Sequence, residues 1–322
     1  MKLYGEIPGG KQELKTLLYP FNDSYPKKLW SKYRWWKNSN LKKLLPYLNE
    51  NTKWLTVIDR LGAPGDALIS ANVIRAVKQK FPKLKINFIT PHPELVELDP
   101  NIDLLNGKES FYTFDSSYWE LIVRKEKKEN IISHNLKKLG IEEFDYKAMF
   151  YLSDQETSWA EDILKSCKKP VLAICTKSKE SVKNWPIEHW TKLLKSLINK
   201  FSIIQLGDKR EPEFKGVQRF AGKLTMRESA ALLSQAKLFV GPDSLLMHVA
   251  SGLNIKSLII FGGSRPVECF GYSGNINFDS QPDCSPCWIH KGYESCERGV
   301  ECMKSISVKP VQQAISSHLQ VP

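Results

Sequence analysis

Short apolar runs alternate with amphipathic stretches from residue 52 onward. Residues 53–59 read as a buried strand. The loop 60–66 follows, and residues 67–81 place Leu68, Ile69, Val73, Ile74 and Val77 on one side of a helix that Pro82 ends. Residues 85–90 form a second strand. Residues 101–105 and 119–123 read as short strands, and 131–139 as a helix carrying His134. Ser153, three before Glu156, is a capping box opening a helix to about residue 166. The second half repeats the alternation: strand 170–175, a polar loop 176–185, a helix 187–197 behind Pro186, strand 201–206, helix 225–234. A strand ending at Val240 then turns through Gly241-Pro242, presents Asp243-Ser244, enters an apolar helix to Gly252, and meets a strand at 257–261. Strand–helix alternation in both halves predicts an α/β chain with two parallel sheets.

This pattern puts polar loops at strand ends, where open α/β sheets bind ligands. Asp243 or Ser244 can cap the helix behind it, and the free N–H groups of its first turn make an anion site. The bland reading is an ordinary turn with a capping Asp. Asp66 stands at a strand-to-helix mouth beside glycines, where a general base belongs; the alternative is that it caps its helix. The loop 60–66 has neither a G-x-G-x-x-G nor a P-loop spacing.

Charge adds a partner class. The 322 residues carry a net +12, which points to an anionic partner: a nucleotide, a phosphorylated glycolipid, a membrane surface or nucleic acid. Residues 1–50 hold ten Lys/Arg against four Asp/Glu, mixed with Tyr25, Trp30, Tyr33, Trp35 and Trp36. They read as a basic, aromatic helical extension, suited to packing on the domain, to peripheral contact with anionic lipid, or equally to stacking on bases. No run is long enough for a membrane span and no signal peptide is visible, so the expected location is cytoplasmic, with a peripheral place at the inner membrane left open. The expected domains are 51–155 and 156–322.

Seven cysteines in such a chain do not read as a disulfide framework. Cys284, Cys287, Cys296 and Cys302 are spaced C-x2-C-x8-C-x5-C, and the first pair has the knuckle spacing of zinc and iron sites. A structural Zn or Fe on these four is the expectation, with free thiols as the alternative and His290 as a possible substitute ligand. Cys167, Cys175 and Cys269 fit no such spacing.

Three stretches together resemble glycosyltransferase family 9, the ADP-heptose heptosyltransferases: Gly65-Asp66-Ala67-Leu68 with Phe81-Pro82, Lys183-Asn184-Trp185-Pro186 before His189-Trp190, and Gly241-Pro242-Asp243-Ser244 with His248. The resemblance covers about residues 52–315. It implies a GT-B plan, two Rossmann-like domains with parallel sheets facing a central cleft. It also implies inverting transfer of a heptose or similar sugar from an ADP-sugar to a glycan, lipopolysaccharide-core or protein acceptor, with no cofactor for catalysis. By the resemblance Asp66 is the base. Thr176, Lys183 and the amides of Ser244, Leu245 and Leu246 bind the diphosphate, and Asp243 holds the turn or a donor hydroxyl. Glu211, or Glu213 in another register, binds ribose, and His248 belongs to the donor site. The C-terminal cysteines resemble those of a branch of the family that binds iron. Leu245 departs from the family, which has glycine there, and residues 51–155 are short for the first domain. Two other readings stay open: a nucleic-acid-binding protein with a four-cysteine knuckle, for which the sheet-mouth residues have no use, and an inactive sugar-nucleotide-binding homologue.

Overall fold

The computed structural model of the chain describes residues 52–144, 148–289 and 296–319; the expected extension over residues 1–50 and His290 lie outside them. The chain divides into two compact units, Met1–Leu121 with Asn130–Tyr146, and Ile122–Glu129 with Lys147–Pro322. The boundary expected after residue 155 falls instead at Tyr146–Lys147, with Ile122–Glu129 also assigned to the second unit. No described helix is long and apolar enough to cross a membrane.

The first unit contains β1 (Trp54–Asp59), α1 (Pro64–Lys80), β2 (Lys85–Ile89), β3 (Leu104–Leu105), β4 (Tyr112–Ser116), the start of α2 (Trp119–Val123), and α3 (Ile131–Lys137). Its strands are all parallel, in the order β3-β2-β1-β4. Helix α1 starts three residues earlier than expected because Pro64, which needs no N–H partner, fits the first turn. Gly65 and Asp66 therefore stand on the helix, not in a loop. Two readings are corrected here. Residues 119–123 are helical, with the Trp119 N–H held by Ser117 Oγ at 3.3 Å. Strand β4 was missed because Thr113, Asp115 and Ser116 break its apolar signal, although all three are buried. His134 is structural, as a lone helical histidine usually is: its Nε2 meets Glu120 at 2.9 Å.

The second unit contains α4 (Asp154–Leu164), β5 (Val171–Ile174), α5 (Ile187–Leu197), β6 (Ser202–Gln205), β7 (Gln218–Arg219), α6 (Met226–Ser234), β8 (Leu238–Pro242), α7 (Leu245–Gly252), β9 (Ser257–Gly262), α8 (Val267–Phe270), β10 (Ile276–Asp279), α9 (Glu301–Ser305) and α10 (Val308–Leu319). Its parallel sheet runs β10-β9-β8-β5-β6-β7. The expected capping box of Ser153 with Glu156 forms on α4, and a second, Thr225 with Glu228, caps α6. Glu156 also takes Arg227 at 2.6 Å, tying α4 to α6, and this hydrogen bond is the main force holding its carboxyl down to about 2. Trp185 anchors the next segment: its Nε1 donates to the Ile306 carbonyl at 2.8 Å and its ring packs edge-on against Trp190.

Candidate functional site

In each unit the strand order reverses beside the first strand. From β1 the chain winds outward through β2 and β3, then returns to β4 on the other side. From β5 it winds through β6 and β7, then returns to β8. Loops leaving the carboxyl ends of such strand pairs diverge and open a crevice, the usual ligand place in open parallel sheets. Asp66 follows β1 in the first unit, and Thr176, Lys183 and Asp243–Leu246 follow β5 and β8 in the second.

In the first unit, Asp66 lies in the first turn of α1 and is 8% exposed. Its Oδ2 accepts the Ala63 N–H at 3.2 Å, which is the capping role weighed above. Its Oδ1 accepts the Tyr118 hydroxyl at 2.8 Å, from the loop after β4. Asp59, at the end of β1, is fully buried; its Oδ1 accepts the Gly62 N–H at 2.9 Å and its Oδ2 the Thr90 hydroxyl at 3.1 Å. Burial first, and Asp66 second, push the Asp59 carboxyl well above the usual carboxylate range, to about 8, which favours its protonated form. A buried ion pair, Arg60 with Asp115 at 2.6 Å, links the ends of β1 and β4. The unit thus offers a carboxylate at the start of α1, Asp66, with a phenol on one oxygen and a second carboxyl, Asp59, electrostatically coupled to it. Tyr118 and Asp59 carried no sequence motif.

In the second unit, the loop after β5, the turn after β8 and the turn after β9 come together. Lys183 Nζ sits 2.7 Å from Asp243 Oδ2 and 3.1 Å from Glu180 Oε2. Burial alone would lower the lysine's pKa; Asp243 and Glu180 outweigh it and raise the value, so Lys183 is a cation. Asn184 closes its loop by accepting the Ser178 N–H at 2.6 Å. The motif Lys183-Asn184-Trp185-Pro186 therefore divides its work: charge, loop closure, core anchor and entry to α5.

Ser244 is the N-cap of α7 in extended backbone geometry, but its side chain makes no capping bond, and its Oγ is buried with no hydrogen bond. The amides of Leu245 and Leu246 open the helix, where the intrahelical ladder offers them no carbonyl. Leu245 is partly exposed and Leu246 buried. His248 is buried one turn on, its Nδ1 2.7 Å from the Tyr272 hydroxyl. Burial drives its pKa down to about 4, against the pull of Asp243 and with help from Lys183. It is therefore a neutral imidazole at pH 7 and brings no charge to the site.

Two residues that the resemblance places at the donor are bonded to one another in this structure. Glu211 is 4% exposed, and its carboxylate is filled by its own chain. It accepts the Thr176 N–H at 3.0 Å, the Thr176 hydroxyl at 2.5 Å, the Lys177 N–H at 2.8 Å, the Gln205 amide at 2.9 Å and the Cys175 thiol at 3.4 Å. A carboxylate offers about four lone-pair positions, so none is left for a ribose hydroxyl in this arrangement. Thr176, correspondingly, spends both its donors on Glu211 rather than on a phosphate. Gly207, at φ +121°, leaves room for the clamp: a Cβ there would stand 2.9 Å from Glu211 Oε1. Glu213, the other register, is exposed.

Cys284 and Cys287 stand after β10, and Cys296 and Cys302 before and on α9. Among the described residues no three His, Cys, Asp or Glu side chains stand together as a metal-ion group, and all four cysteines are free. They are neighbours nonetheless: after burial, Cys287 and Cys296 are among the influences that raise the Cys302 thiol.

A sequence model described as glycosyltransferase family 9 (heptosyltransferase) matches residues 114–294, more than half of the chain. Lipopolysaccharide heptosyltransferase 2 of Salmonella typhimurium is 24% identical over 127 residues, 35% of this chain and 36% of the relative. The match thus spans about a third of the length of that curated relative. Among solved structures, ADP-heptose lipopolysaccharide heptosyltransferase II of E. coli superposes with a TM-score of 0.63 at 14% identity, covering 84% of this chain and 99% of that one. The iron-containing dodecameric glycosyltransferase TibC of enterotoxigenic E. coli gives 0.68 at 17% identity, covering 84% and 77%. These likenesses bear out the expected α/β fold with two parallel sheets.

Proposed function

Because the chain belongs to glycosyltransferase family 9, we propose that it transfers a heptose from an ADP-heptose donor to a hydroxyl acceptor, with inversion at the anomeric carbon. The observation that carries the reading is that each unit holds a sheet-end site of different chemistry: a helix-mounted carboxylate bonded to a phenol in one, and a lysine with a helix N-terminus in the other. Inverting transfer needs those two parts, a base for the acceptor oxygen and positive charge for the leaving diphosphate. Asp66 takes the acceptor proton as that oxygen attacks, the bond from the anomeric carbon to the diphosphate oxygen breaks, and ADP leaves. Lys183 and the opening amides of α7 neutralise the charge that develops on it, so the reading assigns the step no metal. Asp243 fixes the lysine, and His248 serves as a neutral hydrogen-bonding group.

The donor is supported by relatives: TibC has been solved in complex with ADP-D-β-D-heptose, and the sequence relatives act on lipopolysaccharide. An anionic lipopolysaccharide core is the acceptor that best suits a net charge of +12, and a cytoplasmic place, peripheral to the inner membrane, belongs to the same reading. A structural Zn or Fe on Cys284, Cys287, Cys296 and Cys302 is a separate part of the proposal, resting on spacing and on the mutual influence of three of the thiols. Elemental analysis of protein purified without added metal tests it: about one Zn or Fe per chain is expected, and absence of both contradicts it.

The test of transfer is incorporation of labelled heptose into heptose-deficient lipopolysaccharide. Asp66→Asn, which keeps an acceptor for the Ala63 N–H, is expected to lose about 100-fold or more of the rate while retaining ADP binding. Equal loss of both would make Asp66 a structural residue and overturn its role as base.

A further inference from the structure

The proposed donor site already contains an anion of its own. Glu180 Oε2 lies 3.1 Å from Lys183 Nζ and 3.0 Å from Arg265 Nη2, bridging two cations with one oxygen. Arg265 is 3% exposed and firmly held. Its Nη1 donates to the Ser264 carbonyl at 3.3 Å and the Ile289 carbonyl at 3.2 Å, and its guanidinium lies over the Trp288 ring. Glu180 is the more exposed partner, its side chain 19% accessible. Asp243 completes a row of four alternating charges, Arg265, Glu180, Lys183 and Asp243, that sums to zero.

A diphosphate entering this neutral row would meet Glu180 as a like charge. With Glu180 turned out to solvent, the remaining three groups carry +1, and two fixed cations face the vacated position. Two further polar groups flank the row in sequence. Ser244 Oγ, after Asp243, and Ser264 Oγ, before Arg265, are both buried with no hydrogen bond, and Ser264 is 1% exposed. Buried hydroxyls rarely stay unpaired without a reason such as a ligand that completes them.

Resting on the donor reading above, we infer that Glu180 occupies the position of a donor phosphate group, and that Arg265 is a second diphosphate-binding cation alongside Lys183. Glu180 is thus a built-in competitor: it keeps both cations paired until a diphosphate displaces it. A single phosphate close to the nucleoside gains less from this exchange than a diphosphate, so the row also favours ADP over AMP.

Calorimetric titration of ADP and AMP into the full chain, Glu180→Gln, Arg265→Gln and Arg265→Lys tests this. Glu180→Gln is expected to bind ADP about fivefold more tightly, with AMP changed less. Arg265→Gln is expected to weaken ADP about tenfold or more, again more than AMP, whereas Arg265→Lys, which keeps the charge and guards against misfolding, recovers most of the ADP affinity. If the wild type binds ADP but Glu180→Gln binds it equally or more weakly, Glu180 is a brace for Lys183 and the inference falls alone. If Arg265→Gln loses ADP and AMP by the same factor, Arg265 is structural and its assignment falls. If the wild type binds no ADP, the donor reading itself falls.

Discussion

Asp59 shows how a single buried group sets conditions for its neighbours. With its pKa raised to about 8 by burial and by Asp66, it binds a proton in the folded chain that it loses near pH 4 when unfolded. Between those values the folded state holds more protons than the unfolded one, so stability falls as pH rises through the window. Asparagine copies the protonated acid at all pH values. The melting temperature of Asp59→Asn, relative to wild type, is therefore expected to climb between pH 5 and pH 8; a difference that stays flat would mean that Asp59 is ionised in the fold. His248 works with the opposite sign. Its pKa is depressed to about 4, so its contribution to stability is present above about pH 6.5 and fades as pH falls toward 4. These two residues had different visibility in the sequence. His248 stood in a recognisable turn motif, whereas Asp59 was only the last residue of a strand, and nothing local marks a carboxyl that will be buried beside another.

At the scale of elements, the loop after β5 is shaped by Glu211, which lies thirty-five residues beyond Thr176 in the chain. Removing that carboxylate would leave the buried Thr176 amide and hydroxyl without their acceptor and take one bond each from the Lys177 amide and the Gln205 side chain, an unpaired buried donor costing about 1–3 kcal/mol. Glu211→Ala is thus expected to lower the unfolding free energy by about 3 kcal/mol or more, read by denaturant titration. Unchanged stability with lost ADP affinity would favour the ribose role instead. Leu245, at the head of α7, is the complementary case. Glycine there removes a Cβ from the approach to the helix amides at some cost in helix stability. Leu245→Gly is expected to bind ADP more tightly and melt lower, and an unaltered affinity would show that the side chain does not obstruct the site. Elements with a strong apolar period or a cap were legible: α1, α4, α6, β5 and β8 fall within a few residues of their expected places. Those with buried polar residues were not. Strand β4 pairs Asp115 with Arg60 and Ser116 with Ser70, contacts forty-six to fifty-five residues apart that no local window can see. The Glu211 clamp and the Arg265–Glu180 pair escaped the sequence for the same reason.

For the whole molecule, the sequence carried the plan because the plan is repetitive. Strand, loop and helix recur in both units, and each sheet reverses its winding once, so the motif residues had to collect at two strand-end crevices. What the chain does with those crevices depends on charge and on donor chemistry: a carboxylate with a phenol in one unit, cations with an opening helix in the other. The central claim is that the second unit recognises an ADP-linked heptose. Parallel calorimetric titrations with ADP-heptose, a UDP-hexose and a GDP-hexose test it most directly, with Lys183→Ala as the control. Saturable binding of ADP-heptose, at least about tenfold weaker in Lys183→Ala and undetectable with the UDP- and GDP-sugars, is the expected result. Failure to bind ADP-heptose, or binding indifferent to both the base and Lys183, would contradict the account.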